Sequence, residues 1–225
     1  CDDGLMIDLS LMKGIRIDAE TRTVTAQAGC TLGDMDRATD RYGLAVPSGI
    51  VSETGIAGLT LGGGVGWLVR KYGLTCDNLI SAEVVTADGS TLTASADQNA
   101  DLFWGLRGGG GNFGVVTSFR YRAHQVSRVL GGMVVHPAAA GRDVFNFFRD
   151  FSRNAPEELT TYAAFLTLPD GMLAVAIVVC YCGDPVTGEK VLEPLRNFGS
   201  PLDDTINNIP RLDMQTMFDA AFPYG

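Results

Sequence analysis

Glycine carries the strongest chemical signal in this chain. Of its 28 glycines, eight lie between Gly49 and Gly73 and six between Gly105 and Gly114. Average usage is roughly 7%, so the excess is local. A literal G-x-G-x-x-G occurs as Gly109, Gly111 and Gly114. That fingerprint needs a strand before it and a helix after it, so that a helix N-terminus meets the pyrophosphate; here the pattern predicts a helix before and a strand after. A nucleoside-triphosphate loop fails too, because no Gly-Lys-Ser or Gly-Lys-Thr follows any glycine run. The remaining reading is a backbone cradle. From Gly55 the chain runs Gly55-Ile56-Ala57-Gly58-Leu59-Thr60-Leu61-Gly62-Gly63-Gly64-Val65-Gly66, and missing β-carbons let successive N–H groups turn the same way and approach an anion closely. Peptide dipoles would then supply the positive potential without an arginine. The alternative is that these glycines only let chain pack on chain.

Other reactive side chains are sparse. The cysteines Cys1, Cys30, Cys76, Cys180 and Cys182 are odd in number and form no C-x-x-C, and only His124 and His136 could join them. A structural metal is therefore not expected. His136, before Pro137, reads as a strand-end residue and His124 as a strand residue, both structural. Tyr162, Glu157 and Glu158 have the chemistry of a general base, but nothing in the sequence places them, and no catalytic residue is assigned.

The elements that must hold the glycines follow from periodicity and punctuation. Residues 14–18 and 23–28 bracket a polar turn as a hairpin, and 5–9 is a short apolar run. Thr31 is the expected N-cap of a helix with Asp34 in its first turn, Leu32, Met35, Ala38 and Tyr42 on one side, and Gly43 at its end. Residues 47–73 hold too many glycines for a long regular element and read as a loop with at most a short helix at 66–71. Residues 80–86 and 90–94 flank Asp88-Gly89 as a hairpin. A helix is expected over 97–106, capped by Ser95 or Asp97, with Leu102, Phe103 and Leu106 as its apolar side. Over 113–121, Ser118, Arg120 and Arg122 alternate against Phe119 and Tyr121, a half-exposed strand.

After Val126 the glycine excess ends. Strand 132–136, helix 141–154, strand 161–168, a turn at 169–171, strand 172–181 and helix 185–198 describe an antiparallel sheet covered on one face by helices. Phe145, Phe148 and Phe151 share one side of the first of these helices and read as core.

Composition sets the outer limits. Basic residues number 17 against 26 acidic, a formal charge of −9, so the long-range field repels polyanions and nucleic acid is not an expected partner. Hydrophobic residues at 46% and charged residues at 19% of the 225 exclude disordered, coiled-coil and collagen-like chains and suffice for an unstapled core. The longest apolar run, Met172 to Cys182, is about half of a membrane span, so no membrane association is expected. Free cysteines without polybasic or lipidation features are expected of a soluble protein, with the cytoplasm the favoured location.

Four blocks taken together resemble a known family. They are Pro47-Ser48-Gly49; Gly55-Ile56-Ala57-Gly58 through Gly62-Gly63-Gly64-Val65-Gly66; Arg70-Lys71-Tyr72-Gly73-Leu74 with Asp77-Asn78; and Asp101-Leu102-Phe103-Trp104-Gly105-Leu106-Arg107 through Gly111-Asn112-Phe113-Gly114-Val115-Val116-Thr117. Their order and spacing resemble the FAD-linked oxidases of the berberine-bridge-enzyme type, within the PCMH-type, vanillyl-alcohol-oxidase-like superfamily. The likeness is strong to Val126 and weaker beyond, where Met214 to Gly225 is similar to the family's substrate domain.

The resemblance implies an α+β fold: residues 1–126 as the second half of a PCMH-type FAD-binding domain, and 127–225 as the start of an α+β substrate domain with an antiparallel sheet. The chain is then the middle of a longer protein. FAD is the implied cofactor, with Gly55, Ile56, Gly58, Leu59, Gly62, Gly63 and Gly64 along its diphosphate and ribityl chain. Gly114, Val115 and Val116 would meet the adenine end through backbone groups, with Asn112 just before them. Members that hold flavin by two covalent bonds carry a cysteine in the place of Val51 and a histidine in the place of Leu59; neither side chain here can form such a bond. The implied activity is oxidation of an alcohol, amine or phenolic small molecule with oxygen as acceptor, the catalytic base lying beyond Gly225. Two other readings stand beside it: a non-catalytic nucleotide- or flavin-binding module, and a flavin dehydrogenase using another acceptor.

Overall fold

The structure, a computed structural model, describes residues 3–221; Cys1 and the last four residues of the 214–225 stretch lie outside the described residues. The chain divides into two compact units, one comprising the residues up to Gln125 together with the segment from Gln215, the other Val126–Met214.

The first unit contains β1 (Ile15–Asp18), β2 (Thr23–Gln27), α1 (Leu32–Asp40), β3 (Leu44–Ala45), α2 (Ile56–Leu61), α3 (Val69–Tyr72), β4 (Leu79–Val85), β5 (Thr91–Ser95), α4 (Ala100–Leu106), β6 (Val115–Arg122) and β7 (His124–Gln125). Five strands form one sheet in the order β1-β2-β6-β4-β5, and β3 pairs β7 apart from it. All the pairings are antiparallel, and β6, last of the five in the sequence, lies between β2 and β4 with Phe119 opposite Ala26 on one side and Ala82 on the other. Alternation makes the burial one-sided. Val24, Ala26, Val84, Phe119 and Tyr121 join Leu32 and Met35 of α1, Phe103 and Leu106 of α4 and Ile56 of α2 in one core, each large side chain contributing about 1.5–3 kcal/mol. Arg120 and Arg122 point to the exposed side of the same strand.

Local chemistry explains most of the boundaries. Thr31 and Asp34 form a reciprocal cap on α1: Thr31 Oγ1 accepts from the Asp34 N–H at 3.2 Å, and Asp34 Oδ2 accepts from the Thr31 N–H at 3.0 Å. Tyr42, expected on the apolar side of α1, lies past its end and is exposed. The stretch expected as a loop contains a helix, α2, because its glycines fall at the two caps and at one interior position while Ile56, Thr60 and Leu61 reach the core. Only Gly58 carries the roughly 1 kcal/mol cost of a glycine inside a helix. The short helix expected over 66–71 is present as α3. Helix α4 begins three residues later than expected: Ser95 Oγ accepts from the Asp97 and Gln98 N–H groups and holds them in a turn, and Asn99 follows in a left-handed conformation at φ +51°. The apolar run 5–9 forms no strand; Leu5, Met6 and Ile7 are exposed, and Leu9 packs on the core.

The second unit contains β8 (Arg128–Pro137), α5 (Gly141–Arg153), β9 (Leu159–Thr167), β10 (Leu173–Tyr181), α6 (Pro185–Arg196), β11 (Asp203–Asp204), β12 (Asn207–Pro210) and α7 (Arg211–Thr216), inside which the division between the units falls. Its sheet runs β11-β8-β10-β9, with β12 also on β8. One face of β10, from Val175 to Tyr181, packs with Leu192 and Leu195 of α6 and with the partly buried rings of Phe145, Phe148 and Phe151. His136 is buried on β8, edge-on to Phe198 with ring centroids 5.9 Å apart.

Of the stretch 127–225, the segment from Gln215 groups with the first unit: Gln215 Nε2 donates to the Gly49 carbonyl at 2.6 Å, Asp219 Oδ1 accepts from the Ser52 N–H at 2.9 Å, and Phe218 stacks on Trp67 with centroids 5.9 Å apart. These three contacts attach it to the Pro47 block and the glycine segment that follows.

Candidate functional site

Helix α2 has two faces of different character. Ile56 and Thr60 are fully buried and Leu61 nearly so, while Gly55, Gly58 and Gly62, spaced at i, i+3 and i+7, are exposed and stack along one side. The buried side is anchored by polar as well as apolar contacts. The Ile56 N–H donates to the Cys30 carbonyl at 3.0 Å, and the hydroxyls of Thr60 and Tyr121 share a hydrogen bond of 2.8 Å inside the core. Burial raises the Tyr121 phenol far above its ordinary value, against the opposing pull of the Thr60 bond, so it remains neutral and satisfied.

The glycines of this segment separate into those the fold requires and those it does not. At Gly64 φ is +83° and a β-carbon would collide with the Thr75 hydroxyl; at Gly66 it would collide with the Ser48 carbonyl. Gly63, at φ +113°, turns the chain so that its carbonyl accepts from the Cys76 N–H at 2.9 Å while that of Gly64 accepts from Thr75 N–H at 3.0 Å. Gly55 and Gly58 are different. A β-carbon at either would meet nothing within 4 Å, and Gly55 has an ordinary extended backbone at φ −67°, ψ 135°. Among the described residues, neither backbone geometry nor packing requires glycine there. What the missing side chains preserve is open space beside the first turn of α2, where helix geometry leaves the amides of Ala57 and Gly58 without an intrahelical acceptor. No ionisable group lies on α2.

The second glycine block is brought to the first. Arg107, just after α4, donates from Nε to the Cys76 carbonyl at 2.9 Å and from Nη2 to Asp77 Oδ1 at 3.1 Å. Three residues on, the Gly110 N–H donates to the Leu61 carbonyl at 2.9 Å, joining the loop to the end of α2. Asn112 turns its amide back onto the Gly109 carbonyl at 2.8 Å. Gly114 answers to packing: at φ +140° its β-carbon would lie 2.6 Å from the Val85 carbonyl oxygen, so close approach of β6 to β4 already requires glycine. Val115 and Val116 pair with Val85 and Val84 on one side. On the other, the β2 pairing ends at Gln27 opposite Ser118, followed by the Ala28 N–H donating to the Thr117 carbonyl at 3.0 Å; among the described residues no strand pairs with Val115 or Val116 on that side.

Leu59 is half-buried, its two methyl groups set against Gly49 and Gly64, and Val51 is half-buried too. The residues that periodicity missed are Thr60, Gln215 and Asp219. The last two lie 166 and 167 positions from their partners, and no local signal announces them. His124 has a structural post: Asn78 uses both amide hydrogens on the Tyr72 and Leu74 carbonyls, so its Oδ1 accepts from His124 Nε2 at 2.7 Å, and the imidazole stacks on Tyr72. Burial, with Arg122 and Arg22 nearby, lowers its pKa. Among the described residues no cluster of histidine, cysteine and carboxylate side chains could hold a metal, and no helix is long and apolar enough to cross a membrane.

Comparison with known proteins bears on the family and the cofactor. Residues 1–95 match the FAD binding domain family. An FAD-linked oxidoreductase of Dictyostelium discoideum is 39% identical over 227 residues, covering 100% of this chain and 49% of that protein. The crystal structure of 6-hydroxy-D-nicotine oxidase from Arthrobacter nicotinovorans superposes with a TM-score of 0.92 at 27% identity, covering 100% of this chain and 50% of that one. A BBE-like protein of Physcomitrella patens superposes with a TM-score of 0.83 at 26% identity, over 95% of this chain and 46% of that one. The chain therefore spans about half the length of the relatives it matches; it is similar over its whole length to FAD-linked oxidoreductases, and with the FAD binding domain match its cofactor is FAD.

Proposed function

We propose that this chain forms part of an FAD-dependent oxidase that takes a hydride from an alcohol, amine or phenolic small molecule and passes the electrons to oxygen. The observation that carries the reading is the open space beside Gly55 and Gly58, two glycines that the chain's own fold does not need. In this reading the first unit holds the cofactor and the second belongs to the substrate-binding domain. Gly55, Gly58 and Gly62 let the diphosphate and ribityl chain approach α2, and the amides of Ala57 and Gly58 donate to it. Ile56 and Thr60 hold the helix from behind, Gly63 and Gly64 turn the chain away, and Leu59 fills the gap between Gly49 and Gly64. The free backbone edge at Val115 and Val116, preceded by Asn112 and Gly114, receives the adenine. Bound FAD supplies two-electron chemistry; the residues here supply its position and a field from oriented peptide groups. No general base is assigned within the chain. Oxidase chemistry is supported by the 6-hydroxy-D-nicotine oxidase likeness.

The test uses the full-length protein. Its visible spectrum should show flavin, retained in the pellet after acid precipitation only if an attachment outside this chain is covalent. Anaerobic addition of substrate should bleach the flavin, and oxygen should be consumed faster than an artificial acceptor is reduced. A colourless protein that takes up no FAD on titration refutes the cofactor site. Flavin that is bound but never bleaches, across alcohols, amines and phenols, identifies a binding module. Bleaching with preference for the artificial acceptor identifies a dehydrogenase.

A further inference from the structure

The face of the first sheet turned away from the core carries a row of residues that the flavin reading does not use. Arg16 on β1 is paired with Thr25 on β2, Thr25 with Arg120 on β6, and Arg120 with Ser81 on β4. The two arginines stand two strand spacings apart, about 9–10 Å between backbones, within reach of one another's side chains across the intervening threonine. They line a cavity of about 200 Å³ with Asp18, Thr23 and Thr25. In the next row Thr23 is paired with Asp18 and Arg122, which adds a third guanidinium to the same face.

In a chain of formal charge −9, acids are plentiful, and a carboxylate in the place of Thr25 would neutralise both arginines at once. The position carries a hydroxyl instead. Among the described residues Arg16, Arg120 and Arg122 form neither an ion pair nor a hydrogen bond. Asp18 lines the same cavity; its carboxyl is held below the ordinary value mainly by the Thr21 N–H, which it accepts at 3.0 Å, and to a lesser degree by the charge of Arg16, while Glu83 stands in a separate row opposite Ser118. Two unpaired guanidinium forks over a hydroxyl match the geometry of a tetrahedral oxyanion, which each fork can bind through two parallel N–H···O bonds. We propose that Arg16, Thr25 and Arg120 form a site for a phosphate-class dianion on the open face of the first sheet, separate from the flavin cradle.

The experiment is isothermal titration of the full-length protein, saturated with FAD so that the cradle is filled, with inorganic phosphate at constant ionic strength and with acetate as a singly charged control. Saturable uptake of one phosphate is expected, at least ten-fold weaker in Arg16→Gln and in Arg120→Gln, absent in the double variant, and without a counterpart for acetate. Arg16→Lys keeps the charge and loses the fork, so it should bind several-fold more weakly than the parent. Thermal midpoints within a degree of the parent show that the variants fold. No saturable uptake, unchanged uptake in the double variant, or Arg16→Lys binding as tightly as the parent each overturns the proposal. The site does not depend on the oxidase reading, because phosphate uptake and its loss in the arginine variants are read whether or not the flavin turns over.

Discussion

Replacing Gly58 by alanine separates the two reasons a glycine can occupy a helix. The added methyl group meets nothing within 4 Å and the backbone is helical, so the variant relieves the entropic cost of an interior glycine. The apoprotein should gain about 0.5–1 kcal/mol of unfolding free energy. On the proposed reading, the same methyl group would stand where the diphosphate approaches in the flavin complex. Loss of one amide bond to a charged acceptor, worth about 1.5–3 kcal/mol, corresponds to an FAD dissociation constant raised roughly 10- to 100-fold. Urea unfolding of the full-length apoprotein reads the first quantity, and quenching of FAD fluorescence on titration reads the second. Higher stability with weaker flavin binding is the expected pair. Flavin affinity unchanged beside a stability gain would refute the cradle, and a loss of stability would refute the claim that the fold leaves this space open.

Gly64→Ala should behave in the opposite way, destabilising the apoprotein by about 1–3 kcal/mol through positive-φ strain with a further cost from the collision with Thr75, as read by the same urea curve. Tyr121→Phe leaves the Thr60 hydroxyl buried without its partner and should cost about 1–3 kcal/mol; adding Thr60→Val should recover most of it, and a double variant no more stable than the single would count against the bond as the cause. Asp34 supplies a pH dependence. Burial pushes its carboxyl up, but the hydrogen bonds from Lys13 and Thr31 outweigh it and bring the pKa from 3.8 to about 2. Because the folded-state value lies below the unfolded one, its contribution is present above about pH 4 and fades as pH falls toward 2. The thermal midpoint should fall through that window less steeply in Asp34→Asn than in the parent.

Much of the fold is legible in the chain because its determinants are short-range. The hairpins around 19–22 and Asp88-Gly89, the Thr31 cap, the alternation of Phe119 and Tyr121 against Arg120 and Arg122, and the helices of the second unit each depend on residues a few positions apart. Local rules failed where local preference competed with burial. Counting glycines over 47–73 predicts a loop, yet α2 forms because Ile56, Thr60 and Leu61 find a core that lies far away in sequence. Ser95 and Asp97 looked equally able to cap α4; Ser95 instead closes a turn before it.

The sequence by itself determined that two glycine-rich blocks exist, that helix precedes and strand follows the second, and that the run from Gly55 to Gly66 in the first carries no charged side chain to hold a phosphate. Only the tertiary structure decided what each glycine is for. Gly64, Gly66 and Gly114 face other parts of the chain, Gly55 and Gly58 face none, and that distinction depends on atoms of Thr75, Ser48 and Val85. The Leu61 to Gly110 bond and the return of Gln215 and Asp219 to the first unit were equally invisible. A bond between distant residues leaves no period in the sequence, because its partners are chosen by where the sheet and helices place the backbone.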